Sequence, residues 1–200
     1  MLLSNIVEIS SGQAQFRISE VSDPIAPVYT YYSQANLEQD LYLSDGSAVL
    51  PKEIKTFDKI TSLLSTGDVI FSLISGKATI VSKQHQGFLY TQNYVKLIPK
   101  NQIDANYLVY LLNENAVVKK QLSRGLQGSQ VLKYTTNQLK SLRLPKLPHL
   151  SEQRLMGEIY LKQQKLAYLK QRIANLEKLL VLHQLQKRVQ HDEEYTRIKI

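Results

Sequence analysis

Ser151–Arg188 reads SEQRLMGEIYLKQQKLAYLKQRIANLEKLLVLHQLQKR, and its periodicity decides the architecture. Ile159, Leu166, Ile173 and Leu180 recur every seven residues. Leu155, Leu169 and Leu176 fill the paired heptad position, with Lys162 and His183 as polar exceptions. No Gly or Pro interrupts the run after Gly157. The spacing predicts one helix of roughly 57 Å at 1.5 Å per residue. Ser151 is the expected N-cap, with Glu152 at the positive helix end. A small domain has no surface long enough to cover such a stripe, so a second helix is the expected cover. The competing arrangement folds the helix back over its own domain.

The helix is launched from Leu142–Gln153, LRLPKLPHLSEQ. Pro145 and Pro148 hold this strap extended. Upstream, short strands alternate with turns and one clear helix. Residues 2–9 predict a strand or short helix, and Val28–Ser33 an aromatic strand. Val69–Ile74 and Ala78–Val81 read as partner strands across Ser75-Gly76, and Phe88–Leu97 as a further strand ended by Pro99. Asp104 caps a helix expected to run to about Gln121, with Tyr107, Leu108, Leu111 and Leu112 on its apolar face. Thr136–Lys140 reads as a turn and Leu142–Leu144 as a last strand. The expected fold class is α+β, a mixed small globular domain over residues 1–148 followed by a long C-terminal coiled-coil helix over 149–190. Residues 191–200 read as a charged tail.

Composition narrows the function. A hydrophobic content of 43% supports a buried core. The absence of cysteine excludes disulfides and thiolate chemistry and fits a reducing cytoplasm. The start, MLLSNIVEISSG, lacks the basic and continuous apolar regions of a signal peptide. The run LEKLLVLHQL is too short and too charged for a membrane span. The net charge of +8 is unevenly spread, at −5 over residues 1–50, +9 over 51–150 and +4 over 151–200. A basic middle attracts polyanions, with nucleic acid and membrane surfaces as candidates.

Catalytic signatures are missing. There is neither a GxxxxGK[ST] phosphate loop nor a GxGxxG cofactor turn. His85, His149, His183 and His191 are scattered, without the spacing of a metal site. A metal-dependent nuclease built from Asp58, Asp68 and Lys77 is a weak alternative, because their spacing is not diagnostic. Two polar stretches remain, Ser75–Gln92 and Lys119–Tyr134, each mixing Lys or Arg with Gln, Ser, Thr and Tyr. Cationic side chains neutralise phosphates, and Gln or Arg pairs with base edges. Tyr90 and Tyr94, in a strand, read as core rather than stacking platforms.

The order of these elements resembles the specificity subunit of type I restriction–modification enzymes, in half-length form. The similarity lies in LLSNIVEISSGQ, STGDVIFSLISGKATIV, YTQNYVKLIP, IDANYLVYLLN, GLQGSQVLKYTTNQLKSLRLP and the exit PKLPHLSEQ into a long helix. It spans about residues 2–188. The resemblance implies a non-catalytic module that recognises double-stranded DNA without metal or cofactor. It also implies a separate DNA methyltransferase subunit, and a restriction motor subunit, as partners. Family members carry two recognition domains and two helices paired antiparallel, whereas this chain has one of each. Homodimerisation through the helix would then give two copies of one reader. The implied DNA contacts are Lys77, Lys83, Gln86, Gln92, Arg124, Gln127, Ser129, Gln130 and Lys133. The implied dimer seam is Leu155, Ile159, Leu166, Leu169, Ile173, Leu176 and Leu180. A regulatory protein that caps another specificity subunit is the other interaction-based reading, and the +9 middle argues against it.

Overall fold

The computed structural model of the protein describes residues 1–43, 50–124 and 133–198, with side chains to residue 188. Its centre is a four-stranded antiparallel sheet in the order β1-β6-β4-β5. The strands are β1 (Val7–Ser11), β4 (Val69–Ser72), β5 (Ala78–Ile80) and β6 (Tyr94–Pro99). A second, two-stranded sheet pairs β2 (Val28–Thr30) with β3 (Glu53–Lys55).

Strand β4 is buried along its whole length, which its unbroken apolar run VIF allows. Side chains alternate across a sheet, and β4 divides them between two cores. Val69 and Phe71 join Val95, Leu97, Leu108, Leu111 and Leu112 on one face. Ile70 joins Tyr32, Leu37, Leu64, Tyr90 and Tyr94 on the other. Tyr90 and Tyr94 are core residues, as their strand setting suggested. Helix α3 (Ala105–Glu114) covers the first face, and α2 (Gln34–Tyr42) supplies Leu37 to the second.

Several boundaries differ from the sequence expectation, each for a local reason. Residues 2–9 divide into a four-residue helix α1 (Leu3–Ile6) and β1. The helix expected from Asp104 to Gln121 starts as predicted, with the Asp104 carboxylate accepting from the Tyr107 N–H. It then breaks at Asn115, whose side chain accepts from Val117 and Val118 N–H and starts α4 (Ala116–Arg124). The expected strand Phe88–Leu97 is interrupted by a turn, in which Tyr94 N–H donates to Thr91 C=O. Thr136–Ser141 is a helix, α5, closed by a capping box between Thr135 and Gln138. Leu142–Leu144 forms no sheet strand. Arg143 makes an isolated bridge with Leu2, and the Gln121 side-chain amide grips the Arg143 backbone in both directions at 2.8 Å.

Helix α6 runs from Leu150 to Ile198, about 73 Å at 1.5 Å per residue. It begins before Ser151, because Gln153 N–H already donates to His149 C=O. His149 is therefore the cap, and its Nδ1 lies 2.9 Å from Ser151 Oγ. The helix also continues through most of the expected charged tail, since no Gly or Pro stops it. Its first turns pack on α3 and α2.

The β5 edge of the main sheet is covered by α2 and α3, and one side chain pairs with its backbone at Ala78. Asn113 of α3 accepts from Ala78 N–H at 2.8 Å and donates to Ala78 C=O at 2.9 Å. The same amide donates to the Tyr160 hydroxyl of α6 at 3.1 Å. Removing it strands buried polar groups on β5 and α6. Asn113→Ala should therefore lower unfolding stability by about 2–3 kcal/mol, read as a lower urea midpoint with an unchanged denaturant slope.

Candidate nucleic-acid interface

The sequence-selected residues fall into two groups, separated by the segment Phe88–Thr91. The first group lies where β5 leaves the sheet. Lys83 and Gln86 are exposed around a short helical turn, Lys83–His85. Gln86 accepts from the Thr66 hydroxyl at 2.8 Å, which joins two loops. Lys77 lies apart from these two, at the other end of β5, half-buried in the turn after β4, whose Leu73 is hydrogen-bonded to Asn93 and Tyr134. The second group centres on the turn before β6. Gln92 is exposed there, and Lys133 Nζ donates to the neighbouring Asn93 at 2.8 Å. Arg124 is exposed at the end of α4. Gln127, Ser129 and Gln130 lie outside the described residues.

The first group is held from below by His85, which is buried. Its Nδ1 lies 2.8 Å from Asp40 Oδ1, and its Nε2 lies 3.1 Å from Gln39 Oε1 and 3.2 Å from Asn36 Nδ2. Asp40 also accepts from the Tyr32 hydroxyl and the Ser82 N–H. Three residues of α2 thus grip one imidazole and set the loop bearing Lys83 and Gln86. Gly87, with φ +83°, completes the turn in a conformation that favours glycine. His85 supports the loop rather than facing the solvent.

The second group extends onto residues that charge counting passed over. Gln92 N–H donates to Gln13 C=O. The Gln13 side chain reaches Lys59 C=O and Thr61 N–H. Ser19 N–H donates to Asp58 at 2.6 Å, so the 13–19 and 58–61 segments lie side by side. Exposed Arg17, Lys59, Phe16 and Phe57 belong to this region. The 77%-exposed ring of Phe16 carries Arg17 over its face at 5.6 Å. Arg17 is the sole cation of an otherwise acidic N-terminal quarter, so block charge concealed it. The signal available in the sequence is the pair Phe16-Arg17, an aromatic beside a cation.

The nuclease alternative loses its residues to structural duties. Asp58 caps Ser19, and Asp68 pairs with Lys96 at 3.2 Å while accepting from Ser65 N–H. Among the described residues no group of three acids or histidines is placed to hold a metal ion. No described helix is long and apolar enough to cross a membrane. What the surface offers is exposed ammonium and guanidinium groups beside exposed amides, the chemistry that meets phosphates and base edges.

Comparison with known proteins fits this chemistry. Residues 3–178 match the model of the type I restriction modification DNA specificity domain. The chain belongs to that family. The fold is shared with the HsdS subunit from Thermoanaerobacter tengcongensis, at 18% identity and a TM-score of 0.51 over 84% of this chain and 38% of that one. It is shared too with a chain from a structural study of type I R-M complex assembly and conformational transition, at 21% identity and a TM-score of 0.59 over 88% and 41%. This specificity domain therefore spans about two-fifths of the solved chains it matches. No curated protein matches it.

The tyrosines beneath the interface make its support pH-sensitive. Burial, then the charge of Asp40, raises the Tyr32 pKa well above its ordinary 10.0. Burial pushes Tyr94 up to about 12. Above pH 10 the unfolded chain loses phenol protons that the folded chain keeps, so stability falls as pH rises. Denaturation midpoints should be flat through neutral pH and decline above about pH 10. Tyr32→Phe should decline less steeply, and an unchanged slope would contradict the assignment.

Proposed function

We propose that this chain is the DNA-reading half of a type I restriction–modification specificity assembly, completed by a second copy of itself through α6. It directs a separate DNA methyltransferase subunit, and a restriction motor subunit where one is present, to a two-part target. The chain itself carries out no chemistry. Family membership supplies the DNA-specificity role, the partner subunits follow from the family resemblance, and self-pairing with its two-part target rests on the geometry of α6.

One observation carries the proposal. Among the described side chains of α6, Gln153, Gly157 and Tyr160 are buried, and Leu150, Leu161, Gln164 and Tyr168 are half-buried. The apolar seam, Leu155, Ile159, Leu166, Leu169, Ile173, Leu176 and Leu180, is 40–60% exposed at every position. The two sets are offset by two residues, about 200° around a helix of 3.6 residues per turn. The head uses one face and leaves the apolar face open over its whole length. A contiguous apolar stripe of this size marks an interaction surface.

An antiparallel pair of such helices places two identical readers at the ends of one rod. Two-fold symmetry then calls for an inverted repeat with a gap. Lys77, Lys83, Arg124 and Lys133 supply phosphate contacts, and Gln86 and Gln92 face base edges. Gln127, Ser129 and Gln130 complete the expected set. Arg17 and Lys59 extend the positive surface beside Gln92. The absence of a membrane-spanning helix among the described residues fits action on cytoplasmic DNA.

Light scattering on the purified chain should give twice the monomer mass, and the double change Leu169→Asp, Ile173→Asp should halve it. A stable monomer at micromolar concentration would reject self-pairing. Binding selection from random duplex DNA should return two inverted half-sites. A single ungapped site would reject the two-reader arrangement.

A further inference from the structure

We propose that the joint between α6 and its own head, made by Gln153, Gly157, Tyr160 and Tyr168, sets the spacing between the two DNA half-sites. The inference rests on the two-reader reading above. It assigns a specificity role to residues outside the whole set of proposed DNA contacts.

The joint is built from four fastenings along one helix face. Gln153 is 1% exposed. Its Oε1 accepts from Asp104 N–H at 3.0 Å, and its Nε2 donates to Gln102 C=O at 3.2 Å and Pro148 C=O at 2.9 Å. One amide thus ties the helix to the start of α3 and to the proline strap. One turn later Gly157 crosses α3 so closely that a Cβ there would stand 2.5 Å from Asn106 Cβ and 2.6 Å from Tyr107 N. The obstruction includes backbone, which cannot swing aside as a flexible side chain can.

Tyr160 comes next. Its hydroxyl accepts from Asn113, the residue that holds β5, and donates to Glu114 at 3.4 Å. Burial pushes its pKa up to about 12, so the phenol stays protonated. Tyr168 stacks on Tyr42 of α2, with ring centroids 5.6 Å apart and planes 9° from parallel. From Gln153 to Tyr168 the fastenings span about 23 Å of helix. They reach the strap, α3 and α2 directly, and the edge strand through Asn113. Such a joint fixes an angle as well as making a contact.

A small change at the joint is magnified along the rod. An added methyl at Gly157 requires about 1 Å of displacement to restore ordinary contact distance. Gln153 lies about 6 Å away along the axis, and Leu169 about 24 Å. Pivoting on Gln153 slides the Tyr168–Tyr42 stack, the softest of the four fastenings, and moves the seam relative to its head by roughly 4 Å, comparable with the 3.4 Å step between bases of one strand. The angle of the joint is then legible in base pairs.

The test uses the full chain and a duplex library. It carries the selected half-sites as inverted repeats, with every spacer length across one helical turn. Gly157→Ala acts at both joints of the pair, so it should shift the preferred spacer by about one to two base pairs and leave the half-site sequence unchanged. Tyr42→Ala removes a half-buried ring from the head side and leaves the helix intact. It should widen the range of accepted spacers, again without changing the half-sites, and this holds the proposal to account even if Gly157→Ala fails to fold. A wild-type spacer preference retained by the folded variants would overturn the joint's role and leave the two-reader arrangement standing. A wild-type selection without paired half-sites would overturn both.

Discussion

The arrangement depends on how two residue patterns share one helix. Gln153, Gly157 and Tyr160 form a docking face made of an amide, a missing side chain and a phenol. Leu155, Ile159, Leu166 and Leu169 form an aliphatic face almost opposite. The docking face gains its hold from hydrogen bonds, close approach and the packing of Tyr160 and Leu161, and it leaves the leucines of the seam exposed. Had the head been fastened by those leucines, no apolar surface would remain for a partner. Separating the two faces by about 200° lets one helix be held firmly and still leave an apolar face open.

The head follows a similar economy. Helix α3 packs its apolar side on the sheet and turns Asn113 to the sheet edge and to α6. Helix α2 supplies Leu37 to the second core and turns Asn36, Gln39 and Asp40 to His85. Each helix thus fixes something beyond its own packing. Helix α3 fixes the rod, and α2 fixes the loop bearing Lys83 and Gln86. Both are anchored in one sheet whose central strand feeds both cores, so the reading surface and the rod share a frame.

Strong periodic patterns were legible in the sequence. The heptads of α6 stand out because no Gly or Pro breaks them, and the Asp104 cap and Tyr107–Leu112 face of α3 are equally plain. Helix α2 was not legible. Its sequence QANLEQDLY has just two leucines on its buried side, and the third buried residue is Asp40. That carboxylate is tolerable in the interior because His85, forty-five residues away, meets it. Such a pairing is invisible to local pattern. The break at Asn115 was missed because an asparagine cap needs neither Gly nor Pro to interrupt a helix. The three-residue β3 is too short for its alternation to register.

The proposed reading surface draws on sequence in part. The mix of cationic and amide side chains singles out Lys83, Gln86 and Gln92, whereas Arg17 and Lys59 do not stand out from it. Those two reach the same region through Gln13 contacts between segments distant in sequence. In sequence Gly157 is only the last glycine before an uninterrupted helix, because the residues it approaches, Asn106 and Tyr107, belong to a different helix far away in the chain.

Oxidative cross-linking between engineered cysteines tests the central claim most directly, because the natural chain contains no cysteine to interfere. An open seam that pairs antiparallel puts the two ends of the leucine stripe together. Leu155→Cys mixed with Leu180→Cys should give a rapid covalent dimer, and Leu155→Cys alone should not. Efficient self-linking of Leu155→Cys, or no link in the mixture, would contradict the arrangement.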